Sequence, residues 1–413
     1  MTAKLIRTQE LLFKEESTFN EGVNSPSGLS YTKRAAILGM ATCQMDQPRE
    51  ADQRTHTRKN VIDAGFNGLR TATITFTTHF CGLGADPGTG VATTTWFTDL
   101  LKGMGAQYAL NDGGSVASAT SSVSFTTTGV ARQDQGSINR LGDKGDGNGD
   151  GLPYVVNTWA SDITVPYTAA RATPSGSAVR PTIISYPIET DIAPSFRFLF
   201  RTADSNGWYA ITGCKLDQLA FEFDIAGGRP ARVTFTFRGA YWQRSGVADV
   251  VALPTAETGP VAGGLLFVNS FGSNAFNLQE AASMTLKMNM GLVPQVGQVD
   301  LQPAYSNVVG WVNNRCNAQL DWTTPYTDGP TDDFDNDGAN ATFKHALFAT
   351  NGTTGRCGGF YIPKMHRIGS KPIYRDQNGL LYVNESWQST EPVVETDADT
   401  GELVRSNVRI WCG

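Results

Sequence analysis

Period-two alternation of apolar and polar side chains is the feature that most limits what this chain can become. From Arg70 to Phe80, Ala72, Ile74, Phe76, Thr78 and Phe80 alternate with Thr71, Thr73, Thr75, Thr77 and His79, the pattern of a strand with one apolar face. Phe196 to Arg201 sets three phenylalanines on one face against two arginines on the other, and Leu219, Phe221, Phe223 and Ile225 make a third such run. Val233, Phe235 and Phe237 follow after Ala226-Gly227-Gly228-Arg229-Pro230, so a hairpin turns there. Composition agrees: of 413 residues 40% are hydrophobic, only 17% are charged and 44 are glycine, which excludes a coiled coil, a helical array and a disordered chain.

One helix interrupts the first set of strands. Trp96, Phe97, Leu100, Leu101 and Met104 recur at helical spacing, with Thr94 or Thr95 as the cap and Gly103 or Gly105 as the stop. The second half repeats this order. Met284, Leu286, Met288 and Met290 alternate, as do Ala318, Leu320 and Trp322; a short helix is expected at Phe343, Ala346 and Leu347, then a strand at Phe360-Tyr361-Ile362. Hairpins are expected at Asp376-Gln377-Asn378-Gly379 and Asp397-Ala398-Asp399-Thr400-Gly401. Lys215-Leu216, Leu219, Gly227-Gly228 and Trp242 lie loosely over Lys364-Met365, Ile368, Asn378-Gly379 and Trp387, which points to a duplicated fold. The expected organisation is a first unit over 1–245, a linker or arm over 246–274, and a second unit over 275–413. The first unit holds a Gly-, Ser-, Thr- and Asp-rich insertion over about 111–194, too long for a simple connection.

Charge and motifs narrow the function. Residues 1–250 hold 23 basic and 23 acidic groups, so the net charge of −6 falls in 251–413, and there is no global positive excess for gripping phosphates. The acidic stretch Glu385 to Glu402 has no Lys or Arg; it reads as a solvated hairpin tip or as a surface that repels a polyanion. No run of 18 apolar residues and no signal-peptide pattern is present, so no membrane partner is expected and the chain is read as folding in the cytosol. The six cysteines stand singly and are read as reduced, mostly buried thiols. No zinc helix, nucleophile elbow or phosphate loop occurs, and the four histidines sit in unrelated contexts, so no enzyme is expected. Two acidic loops match the first half of a calcium loop: Asp146, Asn148 and Asp150 before Gly151, and Asp333, Asp335 and Asp337 before Gly338. The carboxylate due at position 12 is replaced by Asn157 and Lys344, so bound calcium needs ligands from elsewhere; no other cofactor is called for.

The chain resembles the tail tube (major tail) proteins of long-tailed bacteriophages with non-contractile tails. The resemblance is carried by Leu11-Leu12-Phe13-Lys14-Glu15-Glu16, the Thr-rich run to Phe80, Trp96-Phe97-Thr98-Asp99-Leu100-Leu101, and Tyr209 to Phe223 with its return Ala231 to Trp242. It implies a mainly β fold of two tandem tail-tube-like β-sandwich or half-barrel domains, each with one short α-helix, whose inner sheets close into a barrel on oligomerisation. It implies a virion structural protein, assembled in the host cytoplasm into stacked trimeric pseudo-hexameric rings, or hexameric ones. DNA and a tape-measure protein would pass through the lumen without sequence-specific binding, and tail-tip and tail-terminator proteins would meet the tube ends. The alternative is another β-sandwich virion component, a head decoration or receptor-binding module, calcium-dependent if the acidic loops hold the ion.

Overall fold

A computed structural model of the chain describes residues 9–21, 30–47, 49–50, 66–67, 70–83, 94–110, 114–121, 124–128, 136–142, 152–156, 162–164, 178–188, 193–202, 208–245, 260–271, 276–296, 308–313, 316–325, 342–350, 355–368, 375–377, 380–391 and 405–413. The first strands are β1 (Gln9–Glu15), β2 (Lys33–Ala35), β3 (Thr42–Asp46), the short pair β4 (Arg49–Glu50) and β5 (Phe66–Asn67), and β6 (Thr71–His79). Helix α1 (Trp96–Leu101), a 3-10 turn and β7 (Gly105–Leu110) lead into β8 (Gly114–Ser121), β9 (Ser124–Thr128), β10 (Ile138–Leu141), β11 (Pro153–Val155), β12 (Asp162–Thr164) and β13 (Ala178–Arg180). Then come β14 (Thr182–Pro187), β15 (Phe196–Thr202), β16 (Trp208–Asp224), β17 (Arg232–Gly239) and β18 (Tyr241–Ser245). The remainder is β19 (Leu265–Ser270), β20 (Asn277–Gln279), β21 (Ser283–Asn289), β22 (Leu292–Val296), β23 (Val308–Asn313), β24 (Asn317–Pro325), β25 (Phe343–Ala349), β26 (Gly358–Arg367), β27 (Arg375–Gln377), β28 (Leu380–Ser389) and β29 (Arg409–Cys412).

The same succession of antiparallel pairings occurs twice. In the first round β1 pairs with β2 and β15, β15 with β16, β16 with β17 and β18, β17 with β6, and β6 with β3. In the second round β19, β20, β25, β26, β28, β29, β24 and β21 take those places in the same order. Even the small ribbons match, β4 with β5 between β3 and β6, and β22 with β23 between β21 and β24. The nine-residue strands β6 and β24 show why: Ala72, Ile74, Phe76 and Thr78 are buried along one, Ala318, Leu320, Trp322 and Thr324 along the other, with polar residues between.

Pairing of β16 with β21 fuses the two rounds into one run of strands, β3-β6-β17-β16-β21-β24-β28-β26. β16 is long enough, at 17 residues, to serve two sheets. Its first part lies between β15 and β18, its second between β17 and β21, and the register breaks near Gly213, whose φ of 62° is a conformation open to glycine. β26 changes sheets at a matching break between Ile362 and Met365. The apolar face of the long run packs on β1, β15 and α1, where Phe76 lies 6.3 Å from Phe198, Phe198 lies 4.9 Å from Phe237, and Phe80 lies 5.5 Å from Phe97. Thr95 caps α1 in a capping box with Thr98.

Three sequence expectations are corrected. Phe343–Ala349 is strand β25, not a helix: Ala346 and Phe348 enter one core while Leu347 and Ala349 enter another, so both faces are buried and the alternation that marks a strand is lost. Among the described residues α1 is therefore the one α-helix, in the first round alone. Leu265–Ser270, assigned to the arm over 246–274, is β19, paired with β20 and β25, and Val261 donates its N–H to Phe80 O. The residue-by-residue overlay also shifts. The matching breaks put Gly213 at Lys364 and Cys214 at Met365, two positions from the hairpin alignment, and Trp387 lies on β28 whereas Trp242 lies on β18.

The insertion carries strands of its own. β8 to β13 form a separate six-stranded sheet in the order β11-β10-β13-β8-β9-β12. Ile138, Leu141, Tyr154 and Val179 dock that sheet against Leu347, Tyr361 and Trp411 of the second round. β14 then returns to pair with β7 on one side and with β29 on the other.

Candidate functional site: a polar sheet face with two open edges

Because strand residues alternate, the face of the long run opposite its core is polar across all eight strands. One row across it reads Thr77, Thr234, Ala220, Lys287, Gln319 and Gln388; the next reads His79, Arg232, Glu222, Thr285, Asp321 and Ser386. Charges of both signs are interspersed among hydroxyls and amides, with no cluster of one sign in these rows. Neighbouring side chains bond laterally: Thr77 Oγ1 lies 2.9 Å from Thr234 Oγ1, Thr75 Oγ1 lies 3.2 Å from Thr236 Oγ1, and Thr323 donates to Asn384 Oδ1 at 2.9 Å. Such a face offers hydrogen bonds that are already mutual and no concentrated positive field to hold a polyanion.

The run has two open ends. Among the described residues β3 pairs with β6 alone and β27 with β28 alone, so each presents backbone groups along one side. The pairing of β27 with β28 flanks Asn378-Gly379, the turn read from sequence.

The junction between the two rounds is built around Glu16. Its carboxyl accepts from Ser195 Oγ at 2.6 Å, from Gly213 N at 3.0 Å and from Asn20 N at 3.1 Å. Burial pushes its pKa up to about 7, against the opposing effect of those hydrogen bonds and of the Arg197 charge. Trp311 of β23 reaches across and donates Nε1–H to Gly213 O at 2.9 Å, while Lys215 Nζ donates to Trp311 O at 3.5 Å. Glu16, Lys215 and Trp311 border a cleft of about 410 Å³. No sequence motif announces this junction, because its members come from four separate elements.

A second cleft, of about 720 Å³, opens near the far end of the run beside Cys316, His366, Thr390 and Asn407. His366 Nδ1, Thr390 Oγ1 and Asn407 Oδ1 are buried there without a hydrogen-bond partner. The calcium candidates Asp146, Asn148, Asp150, Asp333, Asp335 and Asp337 lie outside the described residues, and among the described residues no group of three or more His, Cys, Asp or Glu side chains is placed to hold a metal. Of the acidic stretch, Glu385 is no solvated tip: it pairs with Arg367 at 2.7 Å and accepts from Trp387 Nε1 at 3.1 Å. The cysteines are free thiols, with Cys81, Cys214, Cys357 and Cys412 buried and Cys43 and Cys316 half-buried. No described helix is long and apolar enough to cross a membrane. No protein-family model matches the chain, and no curated protein matches it.

Proposed function

We propose that this chain is the structural subunit of a phage tail tube, two tube folds in tandem, which closes with copies of itself into rings that stack around a DNA-conducting lumen. The observation that carries the reading is the twofold succession of pairings fused into one eight-stranded run, flanked by β3 and β27, each of which pairs with one strand alone among the described residues. Open edges recruit partners unless they are paired or covered, and closed rings remove them. The join inside the chain, β16 to β21, is the pattern for the join between copies: β3 holds the place of β21 and the β26-β27 edge holds the place of β16. Three copies, each contributing eight strands, then make a pseudo-hexameric ring. The Thr-, Gln- and Asn-rich face becomes the lumen wall, along which DNA and a tape-measure protein slide without adhering, and tail-tip and terminator proteins cap the tube in the virion.

Concentrating the purified protein and combining native mass spectrometry with electron microscopy tests this. Trimers that appear as six-lobed rings of uniform bore, stacking into tubes, are expected; a monomer at every concentration and salt condition overturns the proposal.

A further inference from the structure

The join inside the chain also shows what an open copy of the same site lacks. In the first round, Glu16 N donates to Ser195 O at 2.9 Å, and Ser195, Gly213 and Lys215 surround the point where Trp311 enters. Glu16, Ser195, Lys215 and Trp311 are all buried. In the second round, Phe271 N donates to Phe343 O at 2.9 Å, so Phe271 stands where Glu16 does and Phe343 where Ser195 does. The register places Lys364 at the Gly213 position and His366 at the Lys215 position.

These counterparts are uncovered. Phe271 is 41% and Phe343 37% exposed, among the few large apolar side chains left open. Lys364 Nζ sits 4.3 Å from the Phe343 ring centre and 5.1 Å from that of Phe271, which holds the two rings as a platform. His366 Nδ1, at the position from which Lys215 donates to the incoming Trp311 carbonyl, is buried and without a hydrogen-bond partner. An apolar platform with an idle polar atom beside it matches a docking position whose occupant belongs to another molecule.

The first-round site is filled by the β22-β23 ribbon. Its counterpart is β4-β5, which stands between β3 and β6 as β22-β23 stands between β21 and β24, with three residues between β5 and β6 as between β23 and β24. We propose that Phe271, Phe343, Lys364 and His366 form a socket that receives the β4-β5 ribbon of a second copy of this chain. The inference rests on the ring closure proposed above and adds which side chains lock it.

The test places a photo-crosslinker at one wall. Phe343→p-benzoylphenylalanine protein, half isotopically labelled and half not, is assembled, irradiated and mapped by mass spectrometry. Cross-links joining position 343 to residues 49–67 of a differently labelled copy are expected. Rings that form but cross-link elsewhere, or only within one copy, overturn the socket while leaving the tube reading in place; absence of any closed oligomer overturns both. As a second measurement, Phe271→Ser with Phe343→Ser should raise the concentration for half-assembly about tenfold or more, as truncated interface aromatics do, with the melting temperature of the monomer little changed because both rings are exposed. Unchanged assembly by that double variant also overturns the socket.

Discussion

At Glu16 a single carboxyl ties the end of β1 to β15 and β16, and its environment sets a pH dependence. The group titrates at about 7 when folded, against an ordinary value of 4.5, because burial penalises its charged form. Between those values the folded state binds more protons than the unfolded one, so stability falls as pH rises from about 4.5 to about 7, by at most about 1.4 kcal/mol per pH unit. Titratable neighbours in the same place are Arg197, Lys215, Glu21, Cys214 and Cys43. The variant Glu16→Gln should flatten that slope, read from urea midpoints across the window; an unaltered slope assigns the dependence to another group. Residue-level roles of this kind were hidden in the sequence, where Glu16 is one of several acidic residues in a polar stretch. Burial, the cause of its shift, is supplied by β15, β16 and β23.

Strands were legible where one face meets the core and the other does not. β6, β17, β21 and β24 all show alternating burial, and each was apparent from its residue pattern. Strands covered on both faces were not legible. β25 read as a helix because Phe343, Ala346 and Leu347 mimic helical spacing, and β10, buried at all four positions, gave no period at all. Helix α1 was legible through both its apolar spacing and its cap. Thr95 accepts from Thr98 N at 3.3 Å, and Thr98 Oγ1 accepts from Thr95 N at 2.8 Å. Replacing Thr95 by Ala should therefore cost about 1 kcal/mol, seen as a lower denaturant midpoint with an unchanged slope. A silent substitution would mean that packing of Trp96, Phe97 and Leu100 alone holds the helix.

For the whole molecule, the decisive strand is the last one. β29 pairs with β14 from the first half and β26 from the second, and Trp411 on it packs with the inserted sheet through Leu141 and Tyr154 while donating Nε1–H to Phe348 O at 3.3 Å. The first half, the second half and the insertion are thereby tied into one packed body. Trp411→Ala should cost about 3–5 kcal/mol, with calorimetry still showing a single transition; two separated transitions would show that the inserted sheet melts on its own.

The one-sided alternating strands, the capped helix and the absence of a positive surplus were determined by the sequence alone, because each depends on residue type and local spacing. Which strands pair, where the two rounds join, and which of two equivalent sites is covered by Trp311 and which left open at Phe271 and Phe343 were decided only by the tertiary structure. Those outcomes depend on contacts between residues far apart in the chain, such as Gln218 with Asn289 and Gly213 with Trp311, which no local period records.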